Sequence, residues 1–325
     1  MAAVFAGFLL ALMLRFPLDA VDAAAGGLRV FAQGVLPALF PYMVLCQLIT
    51  PALGRLRRVP RTLPVTALAF LGGSPGGARL IALLRAQGAL TDRQTRLLAA
   101  LTGTCSPMFL LGTVSVWASS RALGVSVLLA HWLGAALCAL CVRPFLKPGE
   151  SACAAPTPDA APVSFAGAVQ GSALAMLTVG GCITLMSVAA RLCACAFPVF
   201  TSTAQAFLHA ALEMAGGSRA IISLGFPPRE AAVCVCAAIS FGGVSILMQN
   251  LAFLRPAGVT AGFLLCCRAV HALLSGALVY GLYPLCARVI PAASLSPAAP
   301  SPLALFAAFS ALALFAGVWS LRRRA

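Results

Sequence analysis

Of the seven acidic residues in this 325-residue chain, six (Asp19, Asp22, Asp92, Glu150, Asp159 and Glu230) fall in polar stretches or at the ends of apolar runs. Glu213 is the exception, set in Phe207-Leu208-His209-Ala210-Ala211-Leu212-Glu213-Met214. An ionisable side chain deep in a bilayer costs at least about 2.5–3.5 kcal/mol, so it faces a partner or a water-filled cavity. Two roles fit Glu213: a ligand for a substrate, proton or cation, or an ion pair with Arg79 or Arg219. Each of those arginines follows a glycine pair, in Gly76-Gly77-Ala78-Arg79 and Gly216-Gly217-Ser218-Arg219. A helix starting at such a pair presents free N–H groups and a positive dipole end. With an arginine beside it, that end suits an anionic or zwitterionic ligand; alternatively, the arginines snorkel to water from shallow breaks.

Further polar groups fall in matching places. Ser74, Thr102, Thr104, Ser106, Ser218, Ser240, Ser245, Gln249 and Asn250, with Gly242 and Gly243 between them, offer hydrogen bonds to a solute or close helix packing. His131, Arg268 and His271 lie on apolar segments, as coupling groups or as interhelical packing residues. His209 stands four residues before Glu213.

Such residues need elements that hold them away from bulk water, and the composition supplies them. The chain is 61% hydrophobic and 9% charged, with a mean hydropathy of +1.00. A soluble domain carries roughly 25% charged residues, so a soluble enzyme, a disordered chain and a nucleic-acid binder are excluded. The net charge of +15 fits arginines in loops against anionic lipid, making the bilayer the first partner. Most of the 13 cysteines sit in apolar runs as small hydrophobes. Cys138 and Cys141 form a lone CxxC without a histidine pair at zinc spacing, so no metal or cofactor is expected. No HExxH, GxSxG or Walker A pattern points to an enzyme.

At about 20 residues per span there is room for roughly eight crossings. They are placed at residues 2–14, 30–50, 96–117, 122–146, 166–190, 230–253, 258–286 and 303–321, with an amphipathic connector over 18–33. Two apolar segments do not fit, 62–88 and 198–227, interrupted at Gly72-Gly73-Ser74-Pro75-Gly76-Gly77 and at Ala215-Gly216-Gly217. Their arms, about 12–24 Å long at 1.5 Å per residue, fall short of a ~30 Å core. Both are read as re-entrant hairpins, with protein covering the freed backbone groups. With both as hairpins and both termini cytoplasmic, 13 of the 22 basic residues fall inside, six outside and three within the membrane, as the positive-inside rule requires.

The two interruptions lie 140 residues apart, and each leads into a turn, a helix with a polar or glycine-rich middle, and a further helix. The expected fold is therefore all-α and polytopic, with two inverted repeats of the kind found in secondary transporters. Residues 1–27 hold the first helix and connector, 28–146 the first repeat, and 147–163 a cytoplasmic linker. Residues 164–288 hold the second repeat, and 289–325 a last helix and basic tail.

Several motifs resemble the YlbJ-type sporulation integral membrane proteins, grouped with the nucleoside-recognition or Gate domain proteins. They include Gly34-Val35-Leu36-Pro37-Ala38-Leu39-Phe40-Pro41, Gly73-Ser74-Pro75-Gly76-Gly77-Ala78-Arg79 and Ser106-Pro107-Met108-Phe109-Leu110-Leu111-Gly112. Leu129-Ala130-His131-Trp132-Leu133-Gly134, Leu212-Glu213 with Gly216-Gly217, and Ser240-Phe241-Gly242-Gly243-Val244-Ser245 with Gln249 continue the match. The resemblance implies a cytoplasmic-membrane protein of endospore-forming bacteria, acting in sporulation and spore cortex formation. The chain departs from the family at Gly103-Thr104-Cys105, where asparagines are usual, and at Ser74, where an aromatic is usual. The function expected is a secondary transporter or permease of a small polar or anionic solute. The alternative is a non-transporting factor that organises cortex assembly, with a second copy or other sporulation membrane proteins as partners.

Overall fold

A computed structural model describes residues 2–53, 62–86, 88–146 and 164–290, and all their regular structure is helical. The linker 147–163, the basic cluster Arg55–Arg61, and the predicted last span with its tail lie outside the described residues. Among the described residues, five helical segments are long and apolar enough to cross a membrane: Pro17–Ile49, Arg121–Phe145, Phe165–Ala196, Pro228–Leu254 and Ala261–Val289. Helix α8 (Arg121–Val142) shows why these are membrane helices. Its His131, Gly134 and Cys138 are buried, yet the opposite side exposes Leu129, Leu133, Leu137 and Leu140. A helix apolar on its outer face as well belongs in lipid. The chain is a polytopic, all-helical membrane protein.

Among the described residues five candidate spans stand where seven of the expected eight would fall, for identifiable reasons. Helix α1 (Ala2–Arg15) has 14 residues, about 21 Å at 1.5 Å per residue, and is too short to span. Helix α2 (Pro17–Val30) begins with Pro17, whose missing N–H costs nothing at a helix start. A π-helical turn, Phe31–Val35, carries it straight into α3 (Leu36–Leu53). The predicted connector is thus part of one long helical run. Its Asp19 is accounted for by an ion pair of 2.6 Å with Arg191 on α9 (Phe165–Ala196).

The predicted span 96–117 is also not one helix. Helix α6 (Asp92–Leu101), capped by Thr91, ends in an extended stretch over 102–106. The chain resumes through a π-helical turn, Phe109–Val114, and a short α7 (Ser115–Trp117). Gly103 and Pro107 explain the gap, because proline disfavours helical backbone in the residue before it and donates no hydrogen bond.

The first interrupted segment is α4 (Thr62–Gly72) and α5 (Ser74–Ala86); the second is α10 (Ser202–Leu212) and α11 (Met214–Ser223). The breaks fall at Gly73, inside the expected interruption over 72–77, and at Glu213, two residues before the expected Ala215-Gly216-Gly217. The glycine pairs serve packing instead. A Cβ on Gly77 would lie 2.8 Å from that of Ala69, and one on Gly217 would run into the backbone of Ala210. Each returning arm therefore lies tight against its incoming arm.

The interval of 140 recurs throughout. Helices α4 and α10 start at 62 and 202, and the breaks stand at 73 and 213. Helix α8 starts at 121 behind its cap Ser120, and α14 (Ala261–Val289) starts at 261 behind Thr260. Between them, α12 (Pro228–Phe241) and α13 (Gly243–Leu254) meet at Gly242, the counterpart of Thr102, where α6 gives out. Helices α8 and α14 pack together and α12 lies against both, while α9 holds α2 and α3.

Candidate functional site

The centre forms where α8 meets α14. On α14, Arg268, His271 and Ser275 stand at i, i+3 and i+7, on one helix face. All three are buried. On α8, His131 faces His271, with ring centroids 4.6 Å apart and planes 26° from parallel. His131 Nε2 accepts from the backbone N–H of Cys105 at 2.9 Å, so its Nδ1–H donates to Ser240 Oγ at 2.7 Å. His271 Nε2 donates to the carbonyl of His131 at 2.8 Å. Arg268 Nη1 donates to the carbonyl of Gly103. In the unwound stretch 102–106 the N–H of Cys105 and the C=O of Gly103 are thus covered by side chains from two neighbouring helices, as broken helices inside a membrane protein require.

The other breaks close on the same region. A Cβ on Gly73 would lie 3.0 Å from the backbone nitrogen of Ser106, so the first hairpin's break abuts the unwound stretch. A Cβ on Gly243 would lie 3.0 Å from the backbone of Leu212, so the α12–α13 break abuts the second hairpin's break. Gly242 and Gly243 have φ of +82° and +72°, left-handed values that glycine adopts without penalty. Two further contacts among those that cross between the halves lie beside the breaks. The Cys105 thiol lies 3.5 Å from Met214 Sδ, and Asn250 Nδ2 donates to Ser74 Oγ at 2.7 Å.

Glu213 does not pair with either tip arginine. Its two carboxylate oxygens accept from the backbone N–H groups of Ala215 and Gly216, at 2.7 and 2.6 Å. It is a helix N-cap, anionic where the dipole favours negative charge. Among the described residues the ion pairs are Arg85–Asp92 and Arg191–Asp19.

The remaining predicted residues divide. Arg79 is half-buried and donates to the carbonyl of Gly171 at 3.1 Å. Arg219 is exposed, lining a surface cavity of 120 Å³ with Arg29, Gln33 and Trp117. Neither tip arginine is among the contacts that join the breaks. Ser106 Oγ accepts from the backbone of Phe109 at 3.3 Å, and Ser245 Oγ from Gln249 Nε2 at 3.0 Å. Thr104 Oγ1, Ser218 Oγ and Gln249 Oε1 are buried with no partner among the described residues. A Cβ on Gly216 would crowd His209 at 2.7 Å, whereas Gly76 has open space beside it. Sequence reasoning missed Gly103 and Cys105 as backbone partners of the site. The signal available was a glycine four residues before Pro107, in the middle of an apolar run.

Comparison with known proteins gives one match of note. The chain is 28% identical over 158 residues to the sporulation integral membrane protein YlbJ of Bacillus subtilis (strain 168). The match covers 44% of this chain. It spans 39% of the relative's own length. No family model matches the chain, and no solved structure does.

Proposed function

We propose that this chain is a sporulation membrane protein that works as a secondary transporter of a small polar or anionic solute across the bacterial cytoplasmic membrane. Its similarity to the B. subtilis sporulation protein supports the sporulation setting, and a place in spore cortex formation is what the family resemblance adds to the proposal. The observation that carries the transport reading is the meeting of helix breaks from both halves in one buried polar region. In this reading the segments 140 residues apart are inverted repeats, and α4–α5 and α10–α11 are re-entrant hairpins with both termini on the cytoplasmic side. Discontinuous helices meeting between such repeats place backbone dipoles and polar side chains where a solute is held, and rocking of one half against the other gives alternating access.

A second reading is a non-transporting factor that organises cortex assembly on the same scaffold. The burial of Ser74 and Ser218 favours it, since neither tip hydroxyl meets solvent. Uptake into proteoliposomes, assayed with nucleosides, amino acids, small carboxylates and cortex precursors, separates the two. We expect uptake of at least one class, falling to background in Glu213→Gln while the protein still inserts. If folded wild-type protein moves none of them, and Glu213→Gln complements a null strain fully, the transport reading fails.

A further inference from the structure

Arg268 is a buried cation with most of its hydrogen-bonding capacity unused. It is 2% exposed, and of its three nitrogens only Nη1 has a partner, the carbonyl of Gly103. Nε and Nη2 are buried without an acceptor among the described residues. Covering one carbonyl does not require a guanidinium, since any single donor would do. Nor does helix packing demand an arginine there: at the 140-residue interval the first half carries Leu128.

Among the described residues no protein anion neutralises this cation. Both oxygens of Glu213 are held by backbone N–H groups, and Arg268 is in neither ion pair among the described residues. Its electrostatic neighbours are Cys105, Cys138, Cys267, His131 and His271, none of them a carboxylate. A buried, unpaired charge is strongly unfavourable, and such residues are kept where a ligand completes them.

The geometry of the unused groups selects the ligand. Nε–H and the nearer Nη2–H form the side edge of the guanidinium, two parallel donors that match the two oxygens of a carboxylate. Further buried polar atoms lack a partner among the described residues. Thr104 Oγ1 belongs to the residue after Gly103, and Ser275 Oγ is on the same face of α14. We infer that the side edge of Arg268, with the Thr104 hydroxyl, is the binding site for the carboxylate group of a small organic anion. As a transport site this rests on the transport reading above; as a binding site it stands without it.

The test uses the full chain purified in detergent, melted in acetate, chloride or inorganic phosphate at matched ionic strength. Acetate in excess of its dissociation constant should raise the melting temperature by about 2–4 °C over chloride. Arg268→Gln should abolish the difference. Arg268→Lys, which keeps a buried point charge, should bind acetate no better than chloride, and it carries the test if Arg268→Gln does not fold. Equal melting of the wild type in all three salts overturns the site, as does an acetate shift that survives in either variant. Acetate-specific stabilisation without uptake of any solute leaves the site standing and sinks the transport reading. Uptake of a neutral solute with no acetate shift does the reverse.

Discussion

The two helix pairs break at equivalent positions by different chemistry. At the first break Gly73 turns the chain with a φ of +78°. At the second, Glu213 stays extended, with φ −143° and ψ 118°, and its carboxylate binds the N–H groups of Ala215 and Gly216. The counterpart of Ala215 is Pro75, which has no N–H to satisfy. One half removes an orphan donor; the other supplies an anion to meet it. The backbone hydrogen bonds flanking the breaks nonetheless agree, Gly77 to Gly73 and Gly217 to Glu213, both at 3.1 Å. The lone glutamate at depth, first read as a ligand or an ion-pair partner, is therefore in part the price of lacking a proline. The next pair of breaks differs in the opposite sense. The second half turns compactly at Gly242 and Gly243, whereas the first unwinds over 102–106 and draws in Arg268 and His131 to cover its backbone.

These contrasts can be broken by substitution. The largest effect is expected at Glu213, because Glu213→Ala strips two charge-assisted hydrogen bonds from a buried helix start. It should cost about 3 kcal/mol or more in thermal melting of the purified protein. Gly73→Ala should cost less, about 1–2 kcal/mol for the left-handed backbone, plus relief of the contact with Ser106. Equal losses would mean that the two breaks are held in the same way. A smaller effect is expected from the unwound stretch. A Cβ at Gly103 overlaps the Arg268 guanidinium, so Gly103→Ala should be damaging alone and milder alongside Arg268→Gln. The coupling in the double-mutant cycle should be about 1–3 kcal/mol, and additive losses would separate the two residues. The smallest effect concerns the histidines. His131 has Ser240 as partner, while the position equivalent to Ser240 is Ala100 and His271 Nδ1 has none among the described residues. Ser240→Ala should lose about 1 kcal/mol and Ala100→Ser should gain a fraction of that. A loss from Ala100→Ser would show that the two rings sit in unlike surroundings.

The sequence carried the scaffold in two signals, the scarcity of charge and the glycine pairs 140 residues apart. The positions of the breaks were less legible, because glycine marks both a turn and a close approach. Gly77 and Gly217 are close approaches, and the turns lie upstream at Gly73 and Glu213. Span counting failed where hydropathy hides backbone geometry. Residues 96–117 are apolar enough to cross, yet Gly103 and Pro107 undo the helix. It counted a connector over 18–33 where Pro17 in fact starts a continuous helix. The tip arginines drew attention by repetition, but Arg219 is exposed and Arg79 is half-buried against Gly171. Arg268 had no repeat to announce it, and its lack of a counterpart became informative only once α14 was packed beside Gly103.

The stacked rings of His131 and His271 join residues that are themselves 140 positions apart. Equivalent points of two related bodies can touch only near the axis that relates them. In the transport reading, with the two halves as inverted repeats, the stack is a hub: when one half shifts against the other, displacement is smallest there and grows with distance, as along the arms of a lever. A side chain that thickens the hub by a fraction of an ångström would be magnified towards the outer ends of α5 and α11. Distance from the histidines, more than distance from any ligand, then ranks how strongly a substitution disturbs the movement of the halves.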